Sequence, residues 1–227
     1  MMPENIAGLQ KTILVRFSAG FLVVALMLFI PAGSLQYWQA WVYLGVLFAP
    51  LVFVVNYFLK RDPGFLERRM RVREKEASQQ KIQVLGGILF FLGFLIPGLD
   101  HRFGWSSVPV PLVLTADAIV FLGYLVIFLV FRENSYASRI VEVEAGQRVI
   151  TSGPYALVRH PMYLGFIVMF LSTPPALGSL WALPVFLLLP VFLVFRIRNE
   201  EEVLARDLPG YTEYRQKVRY RLIPLVW

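Results

Sequence analysis

The sequence predicts an all-α, polytopic membrane protein with about six transmembrane helices, the last two a tight hairpin, and a short cytoplasmic C-terminal helical tail. Three observations lead there. Of the 227 residues, 57% are hydrophobic and only 16% charged, with a mean hydropathy of +0.62, well outside the composition of a soluble globular domain. Two long stretches, Phe17 to Leu59 and Pro161 to Phe195, contain no Asp, Glu, Lys or Arg. A six-span arrangement leaves Arg102 as the only one of 22 Lys and Arg residues on one face, and the positive-inside rule then places both termini in the cytoplasm. Reading Pro161 to Phe195 as one long helix would instead export a tail carrying Arg196, Arg198, Arg206, Arg215, Lys217, Arg219 and Arg221. Residues 1–227 thus read as a single membrane domain, with a four-helix frame over 1–131 and a polar loop, hairpin and tail over 132–227.

Each element has its own signal. Met1 to Gln10 is too short to fold alone, and Lys11 and Arg16 flank the start of the first apolar run. Phe17 to Leu59 suits two crossings of ~20 residues joined at the turn-prone Pro31-Ala32-Gly33-Ser34. A signal peptide is the competing reading, but the next span follows at once and that tetrapeptide is a weak cleavage site. Tyr37, Trp38, Trp41 and Tyr43 fall where an interfacial aromatic belt is expected. Lys60 to Lys81, the most charged loop, reads as an amphipathic segment lying on cytoplasmic headgroups. Ile82 to Leu99 is a third span, Asp100 to Pro109 a short loop and Val110 to Phe131 a fourth span. Asp117 lies inside that span, either as a functional intramembrane acid or close enough to the interface to be wetted. Arg132 to His160 is polar and turn-rich, and the alternation in Ile140 to Ile150 fits a short strand or a short helix. Thr173 to Ser179 then splits the last apolar run into two arms of ~17 residues, and Pro184 and Pro190 are expected to bend the second.

Composition also narrows the chemistry. The absence of cysteine removes disulfides, thiolate metal sites and cysteine nucleophiles, and His101 and His160 are too few for a histidine-built metal centre. The net charge of +7 comes from residues flanking apolar spans, which fits an anionic leaflet better than a nucleic acid. Two polar blocks remain, Ser152 to Gly165 and Glu200-Glu201-Glu202, which a hairpin would bring to one face. In the first, Arg159-His160-Pro161 opens a helix with proline at its first position, and the free N–H groups and dipole there suit a carboxylate or phosphate. The bland reading makes Arg159 an interfacial anchor, His160 a cap, and Arg198 and Glu202 a surface ion pair at i, i+4. Three consecutive acids beneath a span are nonetheless poorly placed beside anionic headgroups unless a cation meets them.

Gly153-Pro154-Tyr155, Val158-Arg159-His160-Pro161-Met162-Tyr163-Leu164-Gly165, the apolar hairpin, Phe195-Arg196-Ile197-Arg198-Asn199-Glu200-Glu201-Glu202 and Gly210-Tyr211-Thr212-Glu213-Tyr214 together resemble the C-terminal half of the isoprenylcysteine carboxyl methyltransferase family, whose broader relatives are phospholipid N-methyltransferases. The resemblance covers roughly residues 151 to 224. It implies S-adenosyl-L-methionine as methyl donor and a cofactor-binding loop within 132–227. Carried over, it makes Tyr155, Arg159, His160, Pro161, Tyr163, Leu164, Glu200, Glu201, Tyr211 and Tyr214 cofactor-binding, with Arg196 and Glu200 catalytic. His160, Tyr163 and the helix start at Pro161 would receive the methionine moiety, Glu200 and Glu201 its ammonium or ribose, and Arg196 the acceptor end. The spacer from the acids to Gly210-Tyr211 is slightly short for the family, which leaves open which two of Glu200, Glu201 and Glu202 are equivalent. Ser152-Gly153-Pro154 stands where phospholipid methyltransferases carry Gly-x-Gly. The expected partners are the lipid bilayer and a lipid-like or hydrophobic small-molecule acceptor bearing a carboxylate, thiol or amine, with neither metal nor nucleic acid. A sterol-reductase-like enzyme using NADPH and a non-catalytic membrane scaffold are the alternatives.

Overall fold

The computed structural model describes residues 6–70, 77–137, 143–144 and 146–227, the side chains of 77–83 excepted. Regular structure among the described residues is helical throughout: α1 (Ile6–Ala32), α2 (Trp38–Arg61), α3 (Pro63–Met70), α4 (Ala77–Phe103), α5 (Val110–Glu133), a 3-10 turn (Gly153–Ala156), α6 (Pro161–Ala176), α7 (Leu183–Asp207) and α8 (Tyr211–Lys217). The uncharged Phe17 to Leu59 run does become two helices, turned at Gly33, whose φ of 63° lies in the left-handed region that glycine enters freely. Four helices, α1, α2, α4 and α5, are long and apolar enough to cross a membrane. Their outward side chains are greasy, with Leu14, Leu22, Ile30, Val52, Phe53 and Leu122 all exposed, a surface that only lipid covers without cost. The hairpin is shorter. At 16 residues, α6 rises ~24 Å, less than a hydrocarbon core of ~30 Å. The apolar part of α7 ends at Phe195, and the helix continues past it as a polar rod carrying the acids.

Backbone proximity fixes the packing. A Cβ on Gly98 would stand 2.4 Å from the Leu28 carbonyl oxygen, so α4 touches α1 directly. The second such crossing joins α5 to α6. A Cβ on Gly123 would lie 2.6 Å from Met169 Cγ and 2.9 Å from the Gly165 oxygen, and one on Gly165 would lie 2.7 Å from Ile127 Cγ1. Small residues let membrane helices gain dispersion contacts where burial from water gives no drive. Gly165, the last residue of the His160-containing block, therefore sets how closely α6 lies against the frame.

At the face opposite the polar blocks, Asp100 is almost fully buried and accepts three hydrogen bonds of 2.6 Å, from Ser106 N, Ser106 Oγ and Ser179 Oγ. This clasp ties the end of α4 to the turn between α6 and α7. Half of the expected aromatic belt does similar work: Trp38 and Trp41 are exposed, but Tyr37 and Tyr43 are buried, hydrogen-bonding the Leu177 oxygen at 2.5 Å and Thr173 Oγ1 at 2.9 Å. Both tyrosines hold the far end of α6, where a phenol can satisfy a helix-end carbonyl that lipid cannot.

Other local expectations change as well. Pro184 starts α7 in the first turn, where its missing N–H is harmless, and does not bend the arm; Pro190 lies inside the helix. Asp117 is not wetted: it is 4% exposed, and its two carboxyl oxygens have no hydrogen-bond partner among the described residues. Within Lys60 to Lys81, α3 is helical and amphipathic, but its Phe65 and Leu66 are buried against Phe58 and Phe131 in the protein, not laid on headgroups. Arg71, Arg73, Glu74, Lys75 and Glu76 lie outside the described residues. So do residues 140–142 and 145 of the stretch left between strand and helix; its described part is neither.

Candidate active site

The two polar blocks meet at one face of the bundle. Just before α6, the chain runs beside the C-terminal tail, with Arg159 N donating to the Tyr220 oxygen at 3.0 Å and His160 N to the Arg221 oxygen at 2.9 Å. The Arg159 side chain locks this pairing through Nη1 bonds of 2.8 Å to the oxygens of both Val218 and Arg219. Glu201, on the polar extension of α7, is buried beneath it. One carboxyl oxygen accepts Arg159 Nε at 2.6 Å and lies 3.3 Å from His160 Nε2, while the other accepts Arg221 Nε at 2.8 Å. Burial alone would raise the Glu201 carboxyl, but the bonds from His160, Arg159 and Arg221 outweigh it and draw the pKa down to about 2. An ionised carboxylate only accepts, so His160 donates through Nε2 and its ring is fixed in place.

Beside this cluster lies a polar cavity. Tyr155, Arg159, His160, Pro161, Tyr163, Arg196, Glu200, Tyr211 and Tyr214 all line it; Leu164 and Glu201 do not. Leu164 packs instead with Tyr163, Ile197 and Leu222. The Glu201 carboxylate is turned away from this cavity, toward Arg159, His160 and Arg221. Glu202 is exposed, which leaves Glu200 as the only carboxylate among the described lining residues. Consecutive positions on a helix point ~100° apart, so of three adjacent acids only one can face a given wall.

Four further polar lining residues, Asn134, Tyr136, Gln147 and Arg148, escaped the sequence reading as site residues. Asn134 caps α5 by its backbone N–H to the Val130 oxygen and donates Nδ2 to Tyr155 Oη at 2.9 Å. A polar residue just after the last apolar turn of α5 was its only signal. Tyr155 is held from the other side by Tyr214 Oη, which donates to its carbonyl oxygen at 2.8 Å. Burial, partly offset by the Asn134 bond, pushes the Tyr155 hydroxyl up to about 12. Tyr211 differs. It is 4% exposed, and its hydroxyl has no hydrogen-bond partner among the described residues. Burial, then the charges of Glu201 and Glu200, keep that hydroxyl protonated far above its usual range.

An apolar groove reaches the same place from the membrane side. Phe17 of α1, Leu51 and Val54 of α2, Phe65 of α3, Phe131 of α5, Phe166 and Phe170 of α6 and Leu193 of α7 line it. Met162, Tyr163 and Arg196 belong to both its wall and that of the polar cavity. Across this partition Tyr163 Oη donates to Glu200 Oε2 at 2.5 Å and accepts from Arg196 Nε at 2.9 Å. A polar ligand and an apolar one would therefore meet at a guanidinium, a phenol and a carboxylate.

The family model described as isoprenylcysteine carboxyl methyltransferase (ICMT) matches residues 111–206, from α5 through nearly all of α7. A Delta(14)-sterol reductase of Mus musculus is 33% identical over 105 residues, 43% of this chain and 25% of that protein. A protein-S-isoprenylcysteine O-methyltransferase of Schizosaccharomyces pombe is 40% identical over 72 residues, 31% of this chain and 30% of that one. A cobalt-zinc-cadmium resistance protein of Cupriavidus metallidurans is 30% identical over 133 residues, 57% of each. The chain thus spans between a quarter and somewhat over half the length of these relatives. Among solved structures, the eukaryotic intramembrane Ras methyltransferase ICMT superposes with a TM-score of 0.54 at 20% identity, covering 92% of this chain and 75% of that one. The shared fold and the apolar helices make this an integral, multi-pass membrane protein. Residues 111–206, which hold the partition residues Met162, Tyr163 and Arg196, are thus the part of the chain that is similar to the isoprenylcysteine carboxyl methyltransferase family.

Proposed function

We propose that this protein is an S-adenosyl-L-methionine-dependent methyltransferase of the membrane, acting on a lipid-like or hydrophobic acceptor. The observation that carries the reading is the shared wall of Met162, Tyr163 and Arg196, where a polar cavity and an apolar groove abut. The cavity fits the cofactor's chemistry. Its Tyr211 hydroxyl is a buried donor in want of an acceptor, the N-terminus of α6 favours a carboxylate, and Glu200 offers a carboxylate to an ammonium or to ribose hydroxyls. When bound, the cofactor supplies an electrophilic methyl group on a sulfonium. The chain's part is then to place and dry the acceptor, since an in-line displacement needs little proton transfer. Arg196 and Glu200, joined through Tyr163, are the groups at the reacting end. Tyr155, Arg159, His160, Pro161, Tyr211 and Tyr214 shape the cofactor cavity, Leu164 backs Tyr163, and Glu201 acts by positioning Arg159, His160 and the tail.

In this reading both termini and the cavity are cytoplasmic, residues 1–131 form the frame, and residues 132–227 carry the chemistry. A second reading, an NADPH-dependent reductase, is favoured by the sterol-reductase relative alone. Titrating the detergent-purified protein with S-adenosylhomocysteine and, separately, with NADPH separates the two: binding of the first is expected, and binding of NADPH alone would replace the proposal. Tyr211→Phe makes the test local. It should weaken S-adenosylhomocysteine by about 1 kcal/mol, the worth of one hydrogen bond, without lowering thermal stability, because the hydroxyl removed has no protein partner among the described residues.

A further inference from the structure

Beyond α8 the tail carries an apolar tip whose side chains stand clear of the rest of the described chain. Leu225 is 87% exposed, Val226 75% and Ile223 45%, with Pro224 exposed between them. The other side of the same turn is firmly seated. Leu222 is buried and joins Trp227 in one apolar cluster with Tyr163 and Ile167 of α6 and Leu193 and Ile197 of α7. That cluster lies where α7 passes from apolar to polar sequence. Leu188, Val191 and Phe195 are exposed at i, i+3 and i+7 on α7, so a lipid-facing stripe runs down to the level of the tip.

The backbone of the turn is closed on itself. The N–H groups of Arg221, Leu222 and Ile223 all donate to the Trp227 oxygen, at 2.9, 3.0 and 3.2 Å, and those of Val226 and Trp227 both donate to the Ile223 oxygen at 3.1 Å; Pro224 has none to give. Such a turn enters a poorly hydrated layer at little cost, because water is not needed to satisfy it. Leu225 is held at a φ of 67°, in the left-handed region that a leucine adopts only under constraint, and the constraint turns its side chain outward. Arg219 is exposed just before the turn, a cation suited to an anionic headgroup layer. A closed turn also leaves no row of free backbone groups for a partner strand to pair with.

We propose that residues 223–226 are a membrane anchor, docking ~5–10 Å into the headgroup–acyl boundary of the leaflet on the cavity side. The interaction surface is new to this chain and needs no assumption about the reaction. It bears on the candidate site all the same. The Tyr220 and Arg221 oxygens hold the Arg159 and His160 N–H groups, and Arg221 Nε donates to Glu201, so the anchored turn ties the cavity wall to the lipid surface.

The test uses the full chain in nanodiscs of phosphatidylcholine and phosphatidylglycerol. Since the chain has no cysteine, Leu225→Cys, Val226→Cys and, as a control on exposed α8, Thr212→Cys each take a single environment-sensitive nitrobenzoxadiazole label. Labels at 225 and 226 should emit to the blue of the label at 212, resist iodide, and be quenched more by lipid spin-labelled at carbon 5 than at carbon 12. Iodide quenching at 225 and 226 equal to that at 212 would overturn the proposal. So would protection from iodide without quenching by either spin-labelled lipid, which would assign the tip to a protein surface such as a second copy of the chain. Reading two adjacent positions keeps the outcome independent of any one substitution at the left-handed residue.

Discussion

Arg196 and Glu201 sit five residues apart on one helix and answer to different partners. Arg196 donates into the Tyr163 hydroxyl on the partition, while Glu201 anchors Arg159, His160 and Arg221. In the proposed reaction, Arg196→Lys should leave S-adenosylhomocysteine affinity intact and cut turnover at least about tenfold, because a point charge replaces a planar fork. Calorimetry paired with a methyl-transfer assay reads the two quantities separately. Glu201→Gln should first cost stability, roughly 3 kcal/mol, since Arg159 and Arg221 lose a buried counter-charge. Its pH signature follows from the sign of the shift. The folded pKa of about 2 lies below the usual carboxylate value, so the stabilisation is complete above about pH 4.5 and drains away as pH falls toward 2. Thermal unfolding of the native protein should show that loss, and Glu201→Gln should not. The sequence showed an acidic triplet opposed to a basic block, which is enough to locate the site. It could not show which acid faces inward, because that depends on the phase of α7 against His160, a tertiary quantity.

Helices announced themselves through hydropathy and charge, but several overrun the uncharged stretches: α1 starts at Ile6, within the segment read as too short to fold, and α7 runs on to Asp207. What hydropathy does not encode is contact distance. Gly123 and Gly165 look like two unremarkable glycines in apolar segments, yet the backbones of α5 and α6 touch there. Gly165→Ala should lower thermal stability by about 1–3 kcal/mol, the usual cost of overpacking, with reduced S-adenosylhomocysteine affinity because α6 carries Pro161 and Tyr163 into the cavity. Gly20→Ala is the control: a Cβ there meets nothing within 4 Å, and stability should hold or rise slightly. Prolines were misjudged for a related reason. Pro184 was read as a bend because the start of α7 is set by the buried Ala182 and the Asp100 clasp, which no local pattern announces.

For the molecule as a whole, the orientation inferred from Lys and Arg placement is open to direct labelling, since the chain has no cysteine of its own. Ser107 and Thr212 are both exposed and lie at opposite faces. A membrane-impermeant thiol reagent applied to intact cells should label Ser107→Cys and spare Thr212→Cys; the reverse pattern would turn the protein over and put the cavity outside. The groove was the least legible feature, because its walls come from six of the eight helices among the described residues and no segment shows more than four of its residues. The brevity of α6 carries one more consequence. A hairpin shorter than the bilayer pulls the surrounding leaflet inward or leaves its polar end sunk below the headgroup plane. In the proposed reaction an acceptor would then arrive by drifting within the leaflet, without crossing water. Catalysis in that geometry would be two-dimensional: the relevant concentration would be the acceptor's mole fraction among neighbouring lipids, so inert lipid would act as a diluent while added buffer would not.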